Sequence, residues 1–143
     1  VIINSHGGNN FTPIIRELSV KHPDIFICTI DWWKVCNAEL YFTEPGDHAG
    51  ELETSVMMHL APDLVLPLNV AGDGSAKNFK AKGFNERWAW AQRRWTTISE
   101  STGVGNPAQA TVEKGKNFVE DITLKIAQFL IELSNTGLDE MYE

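Results

Sequence analysis

The first thirty residues carry the pattern that most restricts the fold: two short apolar runs separated by a glycine-rich turn and a helical segment. The runs are Val1–Ile3 and Ile25–Ile30. Between them, apolar side chains recur at roughly helical spacing, at Phe11, Ile14, Ile15 and Leu18. His22 and Pro23 would end that helix. A strand, helix and strand in this order predict parallel pairing with a right-handed crossover, and therefore an α/β fold.

Two more helices are predicted further along the chain. One runs from Ala49 to about Leu60, where Ala61 and Pro62 stop it. The other begins near Ala108, in two parts around Gly115, and ends before Asn135. In its strongest stretch the apolar residues recur every three or four positions, at Phe118, Ile122, Ile126, Phe129 and Leu133.

The remaining segments are less regular. Residues 37–43 could form a short strand or an extended loop. Residues 64–68 contain Pro67, so they form an edge strand at best. Residues 71–86 are rich in Gly, Lys and Asn and are expected to be a loop.

Composition excludes several classes of protein. The length of 143 residues suits one ordinary domain, and 43% hydrophobic residues suit a packed core. A formal net charge of −7 argues against broad nucleic-acid binding and against binding to anionic membrane surfaces. No apolar run is long enough to span a bilayer. The two cysteines, Cys28 and Cys36, are too few for a disulfide scaffold.

A first candidate site is the segment Asn4–Asn10, just after the first apolar run. Ligands of open α/β sheets bind beyond the carboxyl ends of the strands, and glycines allow close approach of the backbone. His6 could be a metal ligand or a general acid or base. A tight turn with a hydrogen-bonded histidine explains the pattern equally well. The spacing matches neither a dinucleotide fingerprint nor a Walker loop.

A second candidate is the segment Asp47–Ser55, where His48 stands at the start of a predicted helix. Glu51 and Glu53 point to different faces of that helix. Carboxylates and a histidine this close could bind a metal or transfer a proton. Acidic residues in a first turn also stabilise the helix dipole, which is the commoner reason for such a cluster.

The chain also holds five tryptophans, and aromatic walls can hold a flat or cyclic ligand. Trp32 and Trp33 follow the second predicted strand and are the better candidates for substrate contact. Trp88, Trp90 and Trp95 are expected in the core or at an interface.

Together the motifs resemble the creatininase (creatinine amidohydrolase) family. Asn4-Ser5-His6-Gly7-Gly8-Asn9 is similar to that family's Asn-Gly-His-Gly-Gly-Asn, with Ser5 at the usual second position. The residues from His48 to Ser55 resemble its His-Ala-Gly-x-x-Glu-Thr-Ser. The residues from Thr102 to Gly115 are similar to the loop before its last helix. Order and separation agree across nearly the whole chain.

The resemblance implies a three-layer α/β sandwich with a mostly parallel sheet. Residues 1–137 would be the C-terminal portion of one such domain, with the N-terminal part missing, and residues 138–143 an acidic tail. It also implies metal-dependent hydrolysis of a C–N bond in a small cyclic or N-acyl amide. The divalent ion would be zinc first, with manganese or iron as alternatives. A cytoplasmic homo-oligomer, commonly a hexamer, is expected.

The resemblance assigns roles residue by residue. His6 would be a metal ligand. His48 would contact substrate and pass a proton to the leaving nitrogen, and Glu53 would lie near the catalytic centre. Substrate contacts fall to Gly7, Gly8, Asn9, Trp32, Trp33 and Asp47.

Two departures from the family limit the functional prediction. Creatininase itself has a ligating glutamate where Gly8 stands here, so creatinine is a doubtful substrate, and Glu53 could supply a carboxylate instead. The family's other ligands, a Glu-x-His segment and an Asp, occur in its N-terminal half and not here. We therefore expect these residues alone to bind metal weakly and to be inactive. The alternatives are hydrolysis of an oxidised inositol ring, or a non-catalytic sugar-phosphate-binding or assembly role.

Overall fold

The computed structural model describes all 143 residues, Val1–Glu143. The chain divides into two compact units. Unit 1 contains residues 1–37 and 120–143, and unit 2 contains residues 38–119. No helix is both long and apolar enough to cross a membrane.

Unit 1 contains the predicted strand–helix–strand arrangement. Strand β1 (Ile2–Asn4) pairs in parallel with strand β2 (Thr29–Asp31), and Asn4 lies opposite Asp31. Helix α1 (Thr12–Lys21) connects them, with a proline in its first turn and its last N–H bond made by His22. The parallel pairing predicted from the sequence is confirmed.

The second strand is shorter than the apolar run suggests. The run begins at Ile25, but the N–H of Ile25 bonds back to the carbonyl of His22, so the chain is still turning there. Ile25 and Phe26 are exposed. Pairing begins only where the N–H of Ile2 bonds to the carbonyl of Cys28. A one-turn 3-10 helix, Trp32–Lys34, follows β2 directly.

Unit 2 is mainly helical and loop-rich. It contains helix α2 (Glu51–Leu60), the short helices α3 (Lys82–Asn85) and α4 (Trp95–Ile98), and the first turns of helix α5 (Val112–Asn135). The ring of Phe118 is fully buried and meets Tyr41 and Phe42 edge to face. Other buried apolar residues of this core are Leu52, Val56 and Ala110.

Two segments differ from the extended conformations that the sequence suggested. Residues 37–43 contain a 3-10 turn, Ala38–Leu40, rather than a strand or an extended loop. Residues 64–68 lie between two further turns, Pro62–Leu64 and Leu68–Val70, and pair with no strand. Both Pro62 and Pro67 lack an N–H donor and favour turns over strand pairing.

Helix α5 is continuous through Gly115, so the predicted division at this residue is wrong. The glycine serves a close contact instead. A Cβ atom there would overlap the carbonyl oxygen of Ser55 in α2. The same contact is reinforced by the N–H of Thr111, which donates to Oγ of Ser55 at 3.1 Å. Glycine in a helix interior is less favourable than alanine, and the close contact with α2 compensates for that loss of helix stability.

Candidate active site

Asn4 organises the polar end of the two strands in unit 1. It is 3% exposed, and its Nδ2 donates to Oδ1 of Asp31 at 2.8 Å. Its Oδ1 accepts the N–H of His6 and the side-chain amide of Asn9, both at 3.2 Å. Because the parallel register sets Asn4 opposite Asp31, one buried amide fixes the turn that carries His6.

The imidazole of His6 takes part in this turn. Its Nδ1 accepts the N–H of Gly8 at 2.9 Å, and its carbonyl accepts the N–H of Asn9 at 3.0 Å. An Nδ1 that accepts a hydrogen bond carries no proton, so in the neutral ring the proton sits on Nε2. Coordination of a metal through either nitrogen would therefore require this hydrogen bond to break. This geometry is that of the hydrogen-bonded tight turn.

Trp32 and Trp33 lie beside the same turn. Their rings meet edge to face at 6.1 Å, and Nε1 of Trp32 donates to the carbonyl of Ser5 at 3.4 Å. A Cβ atom on Gly7 would lie 3.8 Å from the Trp33 ring, so Trp33 borders the turn at Gly7. Unit 1 therefore brings together six of the predicted site residues, namely His6, Gly7, Gly8, Asn9, Trp32 and Trp33.

Asp31 is the charged residue at the carboxyl end of β2. Its carboxylate accepts hydrogen bonds from the ammonium of Lys34 and from the amide of Asn4, each at 2.8 Å. These two bonds, the one from Lys34 first, hold the pKa of Asp31 below its ordinary value. Asp31 and Lys34 also line an open cavity of about 410 Å³, together with Ile126 and Phe129.

The second group of predicted site residues, Asp47, His48 and Glu53, lies in unit 2. The backbone of His48 is paired with Val104: the N–H groups of Asp47 and His48 donate to the Val104 carbonyl at 2.7 and 3.0 Å. The N–H of Val104 donates back to the His48 carbonyl at 2.7 Å. Three backbone hydrogen bonds thus fix the position from which the imidazole projects.

Glu53 faces the His48 imidazole across the first turn of α2. One of its carboxylate oxygens, Oε2, lies 3.8 Å from Nδ1 of His48 and also accepts the N–H of Ala49 at 2.6 Å. Ala49 has a φ of 50°, in the left-handed region that non-glycine residues rarely adopt. Ala49, in this uncommon conformation, connects His48 to helix α2. Strained residues of this kind are often found at functional sites.

Glycines let the two motif loops meet beside His48. A Cβ atom on Gly50 would come within 2.8 Å of the Cα of Gly46, and one on Gly105 within 2.6 Å of the same atom. Gly46 and Gly105 also have φ values of 81° and 128°. The glycines of the His-Ala-Gly motif and of the loop before the last helix are therefore required for backbone packing.

Two residues that the sequence analysis did not assign to a site complete this group. The Trp95 ring, expected only in the core or at an interface, lies 5.0 Å from the His48 imidazole, centroid to centroid. The Arg93 guanidinium lies 5.7 Å from the Trp95 ring and forms an ion pair with Asp47. No local pattern could link these residues to His48 and Asp47, which are more than forty positions away in the chain.

The three later tryptophans do not share one environment. Trp88 and Trp90 are 77% and 83% exposed, so neither lies in a core, and an interface position stays a prediction for both. Nε1 of Trp88 donates to Glu86 within the same loop at 2.8 Å, which holds the ring at the surface. Only Trp95 is half-buried, against His48.

The two motif glutamates have different roles. Glu51 is fully buried, accepts the N–H of Glu44 at 2.8 Å and pairs with Lys114 of α5. Burial alone would raise its pKa, but the Glu44 N–H and the Lys114 ammonium outweigh it, and the net pKa of Glu51 is below its ordinary value. Glu51 therefore joins α2 to α5, whereas Glu53 faces His48.

The donor set of these residues does not fit a bound metal. No group of three or more His, Cys, Asp or Glu side chains is arranged to hold an ion. His6 is the single sequence-predicted ligand, and its Nδ1 is engaged by Gly8. Zinc sites in enzymes generally use three protein ligands, so these residues alone do not make one.

A parallel strand–helix–strand unit with polar residues at its carboxyl end, and a separate histidine–glutamate pair, define an α/β protein with the residue types of a hydrolase site. The chain belongs to the creatininase (creatinine amidohydrolase) family, whose sequence profile matches residues 1–130. That family is generally metal-dependent. The family membership inferred from the motifs is confirmed.

Two relatives extend this finding. The chain is 27% identical over 136 residues to the mycofactocin precursor peptide peptidase of Mycobacterium ulcerans (strain Agy99), covering 90% of the chain and 48% of the relative. It is 43% identical, with a TM-score of 0.89, to a Bacteroides fragilis NCTC 9343 crystal structure whose proposed activity is creatinine amidohydrolase. That match covers 99% of the chain and 55% of the other. The creatininase-like α/β fold is thus confirmed, and the chain spans about half the length of these relatives.

Proposed function

We propose that these residues belong to a hydrolase that cleaves a C–N bond of a small cyclic or N-acyl amide, with His48 protonating the leaving nitrogen. We call a chain that also covers the remaining half of these relatives the complete protein. The observation that carries the proposal is the His48–Glu53 pair, with the histidine backbone fixed by Val104. A positioned histidine beside a carboxylate is the usual form of a general acid–base pair.

The geometry supports a defined task for each partner. Nδ1 of His48 lies 3.8 Å from a Glu53 oxygen, so we assign delivery of the proton to Nε2. The Ala49 N–H donates to the same oxygen and so orients the Glu53 carboxylate beside the imidazole. We therefore propose Glu53 as the partner of His48 rather than as a replacement metal ligand.

The relatives favour C–N cleavage over the alternatives. Creatinine amidohydrolase and peptide peptidase are both names for enzymes that hydrolyse a C–N bond, in a ring and in a peptide respectively. Opening of an oxidised inositol ring breaks a C–C bond, and no relative named here has that activity. A purely binding role would not require a histidine held beside a carboxylate, as His48 and Glu53 are.

In the complete protein we propose that His6 supplies one ligand of a divalent ion, zinc first and manganese or iron otherwise. Such an ion lowers the pKa of bound water and polarises a carbonyl. The remaining ligands would come from residues outside this chain, since its own donor set does not form a site. Gly7, Gly8, Asn9, Trp32, Trp33 and Asp47 stay proposed substrate contacts.

Assembly and location are part of the same proposal. We propose a homo-oligomer, hexameric by family resemblance, in the cytoplasm. Light scattering of the purified complete protein would measure the first, and fractionation of the producing cells the second.

The histidine assignment is tested in the complete protein by His48→Ala. General acid–base catalysis is worth about 10²–10⁴-fold, so kcat should fall by at least 100-fold on every amide that the wild type cleaves. His59→Ala is the matched control, because His59 lies in the last turn of α2, away from His48. Equal activity of the two variants would contradict the role given to His48.

A further inference from the structure

Unit 2 contains a large cleft that shares only Thr102 with the sequence motifs. It measures about 980 Å³ and lies between residues 70–77 and residues 95–102. The two walls are joined where the N–H of Lys77 donates to the Ile98 carbonyl at 2.7 Å. The lining combines apolar and polar surface in similar shares, and the polar part includes Asp73, Ser75, Thr97, Ser99 and Ser101.

Trp95 connects this cleft to the His48 group. Its side chain lines the cleft, and its ring is the one that lies 5.0 Å from the His48 imidazole. Thr102, at the far end of the second wall, is two residues from Val104, whose backbone is paired with His48. The cleft therefore lies next to the His48 group, and the Trp95 ring borders both.

We propose that this cleft binds an extended, peptide-like arm of the substrate that leads away from the scissile amide. The inference rests on the function proposed above and narrows its substrate class. Sites for drug-sized ligands occupy about 300–1,000 Å³, so this cleft exceeds the needs of a single small ring.

The lining fits a neutral polar chain better than a charged one. Lys77 is offset by Asp73 and Glu100, so the cleft carries no strong charge of one sign. Around Gly72 the backbone is open, because a Cβ atom built there would meet nothing within 4 Å. Hydroxyl groups and accessible backbone are the partners with which proteins bind extended peptides.

The test uses the complete protein and narrows the cleft with Ala76→Trp. Ala76 lines the cleft, and Ala81→Trp is the matched control because Ala81 is exposed outside it. The probes are a small cyclic amide that the wild type is first shown to cleave, and a library of capped tripeptide amides. We expect Ala76→Trp to lower kcat/KM for the peptides at least tenfold and for the cyclic amide less than twofold, with Ala81→Trp unchanged. Equal effects on both probes, or none, would overturn the proposal.

Direct binding separates failure of the cleft from failure of the proposed function. The 15N-labelled protein is titrated with the same peptide library, and peptide binding should shift the amide signals of Ser75 and Thr97 and the Trp95 indole signal. These shifts should vanish in Ala76→Trp, and in a second variant, Ser75→Tyr, used if the first does not fold. A wild type that cleaves no amide but shows the shifts would refute only the hydrolase proposal. Absence of the shifts in the wild type would refute the cleft.

Discussion

The Trp95 ring lies against His48 and also lines the cleft, so a single side chain borders both proposed sites. Arg93 lies over the same ring and pairs with Asp47, next to His48 in the chain. We interpret Arg93 and Trp95 as positioning residues that limit the orientations of the imidazole. Their contribution is geometric, since a misplaced catalytic group loses rate even when its chemistry is intact.

Removal of the Trp95 ring should therefore lower kcat in the complete protein. We expect Trp95→Ala to reduce kcat about tenfold and Trp95→Phe, which keeps an aromatic face, to restore most of the loss. Trp88→Ala is the control, because Trp88 is exposed. The ring-proton shifts of His48 report the contact without any assay, since Trp95 exerts a ring current on them. If neither kcat nor those shifts change in Trp95→Ala, the positioning role is wrong.

Asp31 provides a pH-dependent test of the strand edge in unit 1. Its pKa is lowered in the folded state by Lys34 and Asn4, so its carboxylate stabilises the fold above the unfolded pKa. That stability is lost as pH falls below about 4, through the folded pKa. We expect Asp31→Asn to be less stable than the wild type at pH 7 in urea unfolding, and this difference to shrink as the pH falls through the folded pKa. Asp24→Asn, at an exposed position, should show no such dependence.

At the level of elements, motifs that look catalytic also hold helices together. The buried Glu51 pairs with Lys114, and Ser55 meets both Thr111 and Gly115, so the His-Ala-Gly-x-x-Glu-Thr-Ser segment and the loop before the last helix form the α2–α5 contact. The glycine of α5 is thus a packing residue.

Replacement of Gly115 should consequently destabilise the protein although alanine is the better helix former. The added Cβ would overlap the Ser55 carbonyl, and overpacking of this type costs about 1–3 kcal/mol. The gain in helix propensity offsets at most about 1 kcal/mol of it. Urea unfolding of Gly115→Ala measures the net loss. Gly137→Ala, where the new Cβ would meet only a flexible Glu140 side chain at 3.5 Å, is the control. Equal midpoints would contradict a tight α2–α5 contact.

Local sequence patterns predicted the secondary-structure elements well, but they did not predict the contacts between those elements. The helices α1, α2 and α5 follow from apolar periodicity and from proline and asparagine signals at their ends, and their observed limits lie within a few residues of the prediction. The apolar run from Ile25 to Ile27 misled because no strand pairs with these residues ahead of β2. The contact of Trp95 with His48 could not be predicted, because loop geometry brings these distant residues together.

The whole molecule exposes apolar surface in unit 1 that a parallel sheet normally covers. Parallel strands are buried on both faces in nearly all α/β proteins, yet Ile3 in β1 is 57% exposed and Val20 in α1 is 83% exposed. We interpret these side chains as positions on which further polypeptide could pack, since the chain spans about half the length of its relatives.

The ligands that the chain offers predict its metal content. A zinc site generally needs three protein ligands, and the chain arranges no such group. The 143-residue chain is dialysed against zinc and then against zinc-free buffer, and its zinc is measured by elemental analysis. We expect well under one zinc ion per chain. His6→Ala should retain the same small amount, because the Gly8 N–H already engages Nδ1 of His6. The complete protein should retain stoichiometric metal that His6→Ala reduces. Stoichiometric zinc in the 143-residue chain, lost in His6→Ala, would show that His6 and its neighbours rearrange into a site without other residues.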